Sequence, residues 1–365
     1  MKTVTKRSGA MLGFSIYLDK DIGNEARNYI RLMKKNGFSE VFSSVHIPEE
    51  DATQYIKRLR SLGTVCLEEN LKLTVDIDEQ ALRTLGVTIS SARDLVSEGI
   101  SALRLDDGFT NEQIAELSHQ LSLALNASTI SATDVQQLIK FGADFKHMEA
   151  WHNYYPRPET GLDETWFLEK NTWLKQHNFK VVAFVPGDKK LRGPIFQGLP
   201  SLEKHRNEHP LVAANELMKC FAVDKAFIGD PRLSNSVIAQ FKSFYFENSA
   251  KLHIETKFPQ LFERVWHNRP EVARDVVRLV ESRKQNQHLS VVPDEGKPRK
   301  RGTITIDNLS YGRYRGEIQI CKVDLGKDKK VNVIGHVLQK DIALLSLIGE
   351  NTEIEFISDE EKKDD

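Results

Sequence analysis

The sequence predicts an α/β protein: a closed (β/α)8 TIM barrel over residues 1–250, followed by a small β-rich domain over residues 251–365. Three observations carry this expectation. Short apolar segments recur eight times in the first part of the chain, and each is followed by a stretch of helical character. These segments are near-continuous apolar runs without strict alternation, as strands buried on both faces require. Beyond Lys251 the texture changes to short strand-like runs separated by turn residues. Eight βα units in roughly 250 residues match a closed barrel. An open doubly wound sheet usually has fewer strands, and no G-x-G-x-x-G turn follows the first strand here.

In chain order the expected strands are Met11–Leu18, Glu40–Ile47, Leu71–Asp78, Ala102–Gly108, Ser122–Ser128, Phe145–Asn153, Lys180–Gly187 and Lys225–Asp230. Between them lie amphipathic helices, such as Asn24–Asn36 closed by Gly37, and one that Asp51 is placed to cap. Ser90 or Ser91 opens an extra helical stretch that ends near Gly99. After Lys251–Phe258 the spacing predicts a helix over Arg269–Leu279. Strands then follow at Gly302–Ile306, Tyr314–Lys322, Val331–Val337 and Thr352–Ile357, with turn signals such as Asp307-Asn308 between them.

Charge and composition narrow the function. With 51 Lys plus Arg against 52 Asp plus Glu the net charge is −1, so nothing draws the whole chain toward nucleic acid or an acidic membrane. The apolar run at Met11–Leu18 is broken by Gly13 and Ser15, too short and too polar to span a bilayer. Cys66, Cys220 and Cys321 are far apart and form no C-x-x-C, which suits reduced structural residues in a cytoplasmic protein. No P-loop, H-E-x-x-H or G-x-S-x-G is present.

In a barrel the residues that end the strands converge on one mouth. Here that selects many carboxylates. Asp76, Asp106, Glu149 and Asp230 stay within or next to apolar strand register, where burial would perturb them. Asp106 with Glu149 is the first choice for a catalytic pair, and Asp76 and Asp230 are close alternatives. Two carboxylates about one bond are the machinery of glycoside hydrolysis, one donating a proton and the other attacking or activating water. The run His147–Gly161, with Pro156 and Pro158 stiffening it, adds His152, Asn153, Tyr154 and Arg157 as groups to orient a sugar. His46 and Asn126 also fall at strand ends. Trp151, Tyr154, Tyr155 and Phe109 offer aromatic faces for sugar stacking. After the seventh strand, Arg192 beside Gly193 suits a phosphate, which this fold binds near its seventh and eighth strands. Arg313, within Ser310–Gly316, is a second candidate. A mixed metal site built from His46, Asp76, Glu149, His152 and Asp230 is the rival use of the same residues.

The runs GFSIYL (Gly13–Leu18), FSSVHIPEED (Phe42–Asp51), RLDDGF (Arg104–Phe109), HNYYPRPETGL (His152–Leu162) and FIGDP (Phe227–Pro231) give the chain a further property. It resembles the bacterial 6-phospho-N-acetylmuramidases over essentially its whole length. The resemblance implies a glycosidase-type barrel followed by a cyclophilin-like β-barrel domain. It also implies hydrolysis of 6-phospho-N-acetylmuramic acid from N-acetylglucosamine in the cytosolic recovery of peptidoglycan fragments. The implied partner is a phosphorylated disaccharide, with no cofactor, no nucleic acid and no membrane; homo-oligomer formation is left open. Two other readings stay alongside it: a metal-dependent phosphosugar hydrolase or isomerase, and a sugar-phosphate binding protein without catalysis.

Overall fold

The structure is a computed structural model that describes residues 11–44, 52–106 and 108–359. The chain divides into two compact units, one spanning Gly9–Ile238 and the other built mainly on Ala239–Asp365. The division therefore falls inside the helix that follows the last barrel strand, somewhat before the sequence-based boundary.

The first unit is a closed barrel of eight parallel strands: β1 (Met11–Ser15), β2 (Glu40–Ser44), β3 (Lys72–Ile77), β4 (Ala102–Leu105), β5 (Ser122–Asn126), β6 (Met148–Trp151), β7 (Lys180–Val185) and β8 (Lys225–Ile228). Each pairs with its sequence neighbours, and β8 closes onto β1 with Phe14 opposite Ile228. A helix follows every strand: α1 (Asn24–Lys35), α2 (Ala52–Glu68), α3 (Glu79–Thr84), α4 (Asn111–Ser118), α5 (Ala132–Lys140), α6 (Glu164–Gln176), α7 (Pro210–Cys220) and α8 (Asn235–Phe246). Local chemistry explains where they begin. Thr110 with Gln113 and Ser131 with Asp134 form reciprocal caps on α4 and α5, the Asp163 carboxylate accepts the N–H groups of Thr165 and Trp166 at α6, and Pro210 opens α7. The stretch after Ser90 is a 3-10 helix, Ile89–Val96.

The barrel interior is layered, as alternation along each strand dictates. At the N-terminal end lie Glu40, Glu149 and Lys225. A dry aromatic floor above them is made by Phe42, Trp151, Val182, Phe184 and Phe227. Trp151 is fully buried in that floor, so it cannot stack on a sugar as its sequence position suggested.

The second unit is a seven-stranded mixed sheet that nearly closes into a barrel: β9 (Ser249–Thr256), β10 (Trp266–His267), β11 (Val276–Arg278), β12 (Thr303–Asp307), β13 (Ile318–Cys321), β14 (Val331–Val337) and β15 (Glu353–Ser358). The strand order is β10-β15-β9-β14-β12-β13-β11, and a bridge between Asn268 and Leu279 joins its two edges. One short helix, α9 (Ser282–Asn286), precedes β12. The expected helix over Arg269–Leu279 is replaced by strand β11, because Val276, Val277 and Arg278 find sheet partners in Cys321, Ile320 and Gln319. Among the described residues no helix is long and apolar enough to cross a membrane. The three cysteines are free; Cys66 and Cys321 are buried, whereas Cys220 is exposed.

Candidate active site

Strand register builds the mouth. Asp76 lies opposite Ser44 on one side and Arg104 on the other, so β2, β3 and β4 present these side chains at one level. Arg104 Nη1 donates to Asp76 Oδ1 at 2.6 Å, and Ser44 Oγ donates to Asp76 Oδ2 at 3.3 Å. The other arm of Arg104, Nη2, donates to Asn153 Oδ1. One guanidinium thus links the ends of β3, β4 and β6, and both Asp76 and Arg104 are buried. Asp106, half-buried just past β4, shares the face of Arg104 by alternation, and its N–H bonds Ile77 O. Asn126, also half-buried, ends β5 and accepts the Ser128 N–H through its side chain.

A second group gathers where β1, β6 and β7 end. The Arg192 guanidinium lies over the Tyr17 ring at 3.8 Å, and Nη1 donates to Tyr154 Oη at 2.5 Å. Tyr17 Oη in turn donates to Gly229 O at 2.5 Å. Burial pushes the Tyr17 hydroxyl well above its ordinary range, so it stays protonated at neutral pH. Tyr154 packs edge-on against Phe184 of the floor, with ring centroids 5.2 Å apart. Among the described residues, Arg192 has no carboxylate ion-pair partner. That distinguishes it from Arg104, Arg206, Arg232 and Arg58, each of which has one.

Two loops wall this side of the mouth and are tied together by residues that sequence reasoning missed. Arg206 forms a two-pronged pair with Glu203 at 2.6 Å on each arm, and it also donates to Arg157 O at 3.2 Å and Gly198 O at 3.2 Å. Glu203 accepts the N–H groups of Glu159 and Gly161. The Arg206 pair, helped by these amides against partial burial, holds the Glu203 carboxyl down to about 2. Gly161 is required by close approach, since a Cβ there would fall 2.7 Å from Glu203 N.

Several predicted site residues stand elsewhere. Glu149 is at the opposite end of the barrel. Its Oε1 pairs with Lys225 Nζ at 2.7 Å, Lys225 also grips Glu40 at 2.7 Å, and Trp151 Nε1 donates to Glu149 Oε2 at 2.8 Å. The strand begins at Met148, not Phe145, because Asp144 caps a 3-10 turn over Phe145–His147; Glu149 is therefore near the strand's start. His152 follows inward-facing Trp151 and so points out of the barrel, where it is fully buried against Phe167. Its Nε2 donates to Asn171 Oδ1 at 2.6 Å, and burial lowers its pKa to about 4. Asp230 is also buried, and it accepts the N–H groups of Gly187, Arg192 and Leu199 at 2.9, 2.9 and 3.0 Å. Its burial raises the pKa, opposed by those three amides. It fixes the loop that carries Arg192. Arg157 is exposed and uses its carbonyl, not its side chain, in the loop clamp. Arg313 belongs to the second unit, exposed, with Nη2 donating to Tyr314 Oη. His46, with Asp51 and Asp107, lies outside the described residues.

Of the five residues weighed as metal ligands, Glu149, His152 and Asp230 are thus committed to other partners. Among the described residues no group of three or more His, Cys, Asp or Glu is arranged to hold a metal ion.

Comparison with known proteins adds what geometry alone does not name. No curated protein matches the chain. A crystal structure of a conserved protein of unknown function from Enterococcus faecalis is 42% identical, covers 96% of this chain and 97% of its own, and superposes with a TM-score of 0.88. An uncharacterised B. cereus protein is 23% identical over 96% of this chain and 99% of its own, with a TM-score of 0.68, and shares the fold. The profile for the N-terminal part of the 6-phospho-N-acetylmuramidases matches residues 12–243, and that for their C-terminal part matches residues 244–357. With both parts matched in order along nearly all of its length, the chain belongs to the 6-phospho-N-acetylmuramidase family, a family of glycosidases.

Proposed function

We propose that the protein is a cytoplasmic glycoside hydrolase that releases N-acetylglucosamine from 6-phospho-N-acetylmuramic acid during peptidoglycan recycling. Asp76 and Asp106 are the carboxylates assigned to the chemistry. This revises the sequence-based pairing of Asp106 with Glu149. Glu149 lies with Lys225 at the far end of the barrel and Asp230 is taken by three backbone amides, whereas Asp76, although paired with Arg104, and Asp106 end neighbouring strands at the mouth. One carboxylate would protonate the leaving oxygen as the glycosidic C–O bond breaks, and the other would attack the anomeric carbon or activate the water that replaces the leaving group. Arg104 and Ser44 hold Asp76 in place, and Asn153 in turn holds Arg104. Asn126 and Tyr154 border the space for the sugar.

The observation that carries this reading is Arg192. A half-buried guanidinium stacked on Tyr17, bonded to Tyr154 and lacking a carboxylate partner is suited to an anionic substrate group. The substrate's 6-phosphate supplies that anion.

The test is product release from the phosphorylated disaccharide compared with its dephosphorylated form. Cleavage of the phosphorylated compound with a kcat/KM at least about a hundredfold higher is expected, since each charge-assisted contact contributes about 1.5–3 kcal/mol. Equal rates on both, or no release from either, would remove the proposal. Turnover is expected to survive exhaustive chelation, because three of the five residues weighed as ligands have other partners.

A further inference from the structure

The second unit carries a basic groove of its own. Arg283 and Lys284 of α9, Gln287 just beyond it, and Leu309, Arg313 and Arg315 from the segment after β12 line a space of about 540 Å³. All four cations are exposed. Among the described residues none of the four has a carboxylate partner; Arg313 touches only the hydroxyl and ring of Tyr314. Some cations of this unit are paired, Arg278 with Glu317, Arg269 with Glu271, Arg274 with Asp275 and Lys251 with Glu355, and others, such as Arg264, Arg299 and Lys330, meet only a ring or a carbonyl; what sets these four apart is that they line one concavity. Four like charges around one concavity repel one another until an anion enters.

The backbone beneath the groove is firmly tied. Its two walls are locked by buried contacts just behind the cations. Gly316 has φ +82°, and a Cβ there would lie 2.9 Å from Asn286 Cβ. Asn286 Nδ2 donates to Gly316 O at 3.0 Å, and Ser282 Oγ accepts the Ile318 N–H at 2.9 Å. Ser282 and Asn286 are buried. These contacts hold the backbones that carry Arg283, Lys284, Arg313 and Arg315 at a fixed spacing. Between them Gly312 leaves open space, with no atom within 4 Å of where its Cβ would be. Leu309 supplies an apolar wall.

We propose that this groove is a binding site for a phosphate monoester of monosaccharide size. A dianion with three terminal oxygens can be shared by several guanidinium groups, each able to donate two parallel hydrogen bonds. The volume falls within the range of small-ligand pockets, roughly 300–1,000 Å³. Leu309 and Gln287 would meet the apolar face and the hydroxyl groups of the sugar.

The test is calorimetric titration of the full-length chain with inorganic phosphate and with glucosamine 6-phosphate, for wild type and for the double variant R283A/R315A. The substituted residues are exposed, and an unchanged Tm verifies the fold. The double variant is expected to lose one equivalent of bound sugar phosphate, or to bind it at least tenfold more weakly. That holds whether or not the barrel mouth binds another equivalent, so the result stands apart from the glycosidase reading. Unchanged stoichiometry and affinity would overturn the proposal. So would a wild-type chain that binds only long polyanions, such as heparin fragments, with affinity rising with their length.

Discussion

At the scale of single residues, the partner of a side chain decides its role more firmly than its place in the sequence. Arg104 and Arg192 are both guanidinium groups at one mouth, but Arg104 is bound to Asp76 and Asn153, whereas Arg192 is framed by two phenols. Replacing Arg192 with alanine should raise KM for a phosphorylated substrate roughly a hundredfold with little change in kcat, while R192K should fall between, because an ammonium cannot reproduce a planar fork. A KM unchanged by either substitution would detach Arg192 from substrate binding. His152 provides a separate test through pH. Its folded pKa, about 4, lies below the ordinary 6.5 because the ring is buried. The unfolded chain then binds a proton that the native state refuses, so this group's contribution to stability is lost as pH falls from 6.5 toward 4. The loss should reach about 3 kcal/mol. Denaturant titrations across that window should show a flatter pH dependence in H152Q; an identical slope would contradict the assignment.

At the scale of elements, the mouth is shaped by how two loops are fastened. The segment from Asn153 to Leu162 and the one from Gly187 to Glu203 are joined by Tyr155 N–H to Pro200 O and Leu162 N–H to Ser201 O, both at 2.9 Å, and by the Arg206–Glu203 clamp. Arg206 is buried, and removing it strands a carboxylate together with several carbonyls. Because Glu203 stays partly solvated and keeps two backbone N–H donors, R206A should cost about 1–3 kcal/mol in stability. It should also speed hydrogen exchange at the amides of Tyr155 and Leu162; protection at wild-type levels would show that the clamp is dispensable.

These elements also show what could be read from the sequence. All eight barrel strands were visible as apolar runs, because a strand buried on both faces must be apolar almost throughout. Which end of a strand a carboxylate occupies was not visible. Glu149 looked central in an expected strand of nine residues, yet the true strand starts at Met148 after a capped turn. A shift of one residue reverses the facing, which is why Trp151 points inward and its neighbour His152 outward. Arg104 carried a readable signal that was passed over: a cation inside the apolar run ALRL is tolerated only with a buried partner. Arg206 and Glu203 carried none, since their role depends on carbonyls and amides brought close only by folding. In the second unit, the two- and three-residue strands β10 and β11 are too short for periodicity to reveal, and β11 was read as helix.

At the scale of the whole molecule, the barrel sorts its charged groups by layer. One end holds Lys225 between Glu40 and Glu149, where burial alone would lower the lysine's pKa but the two carboxylates raise it. An aromatic floor separates this cluster from the mouth, where Asp76, Asp106 and Arg192 stand. On the proposed function, this separation puts the chemistry at one end and a purely stabilising cluster at the other. In Glu149→Gln, Lys225 keeps Glu40, so a loss of about 1–3 kcal/mol is expected with the fold intact. The most direct measurement is kcat on the phosphorylated disaccharide for D76N, D106N and E149Q, each with its Tm. The account predicts that D76N and D106N lose several orders of magnitude in kcat, D106N at near-native Tm and D76N melting lower because buried Arg104 loses its carboxylate, while E149Q keeps kcat within a few-fold and melts lower. A folded E149Q with no turnover, or near-normal kcat in D76N and D106N, would contradict it.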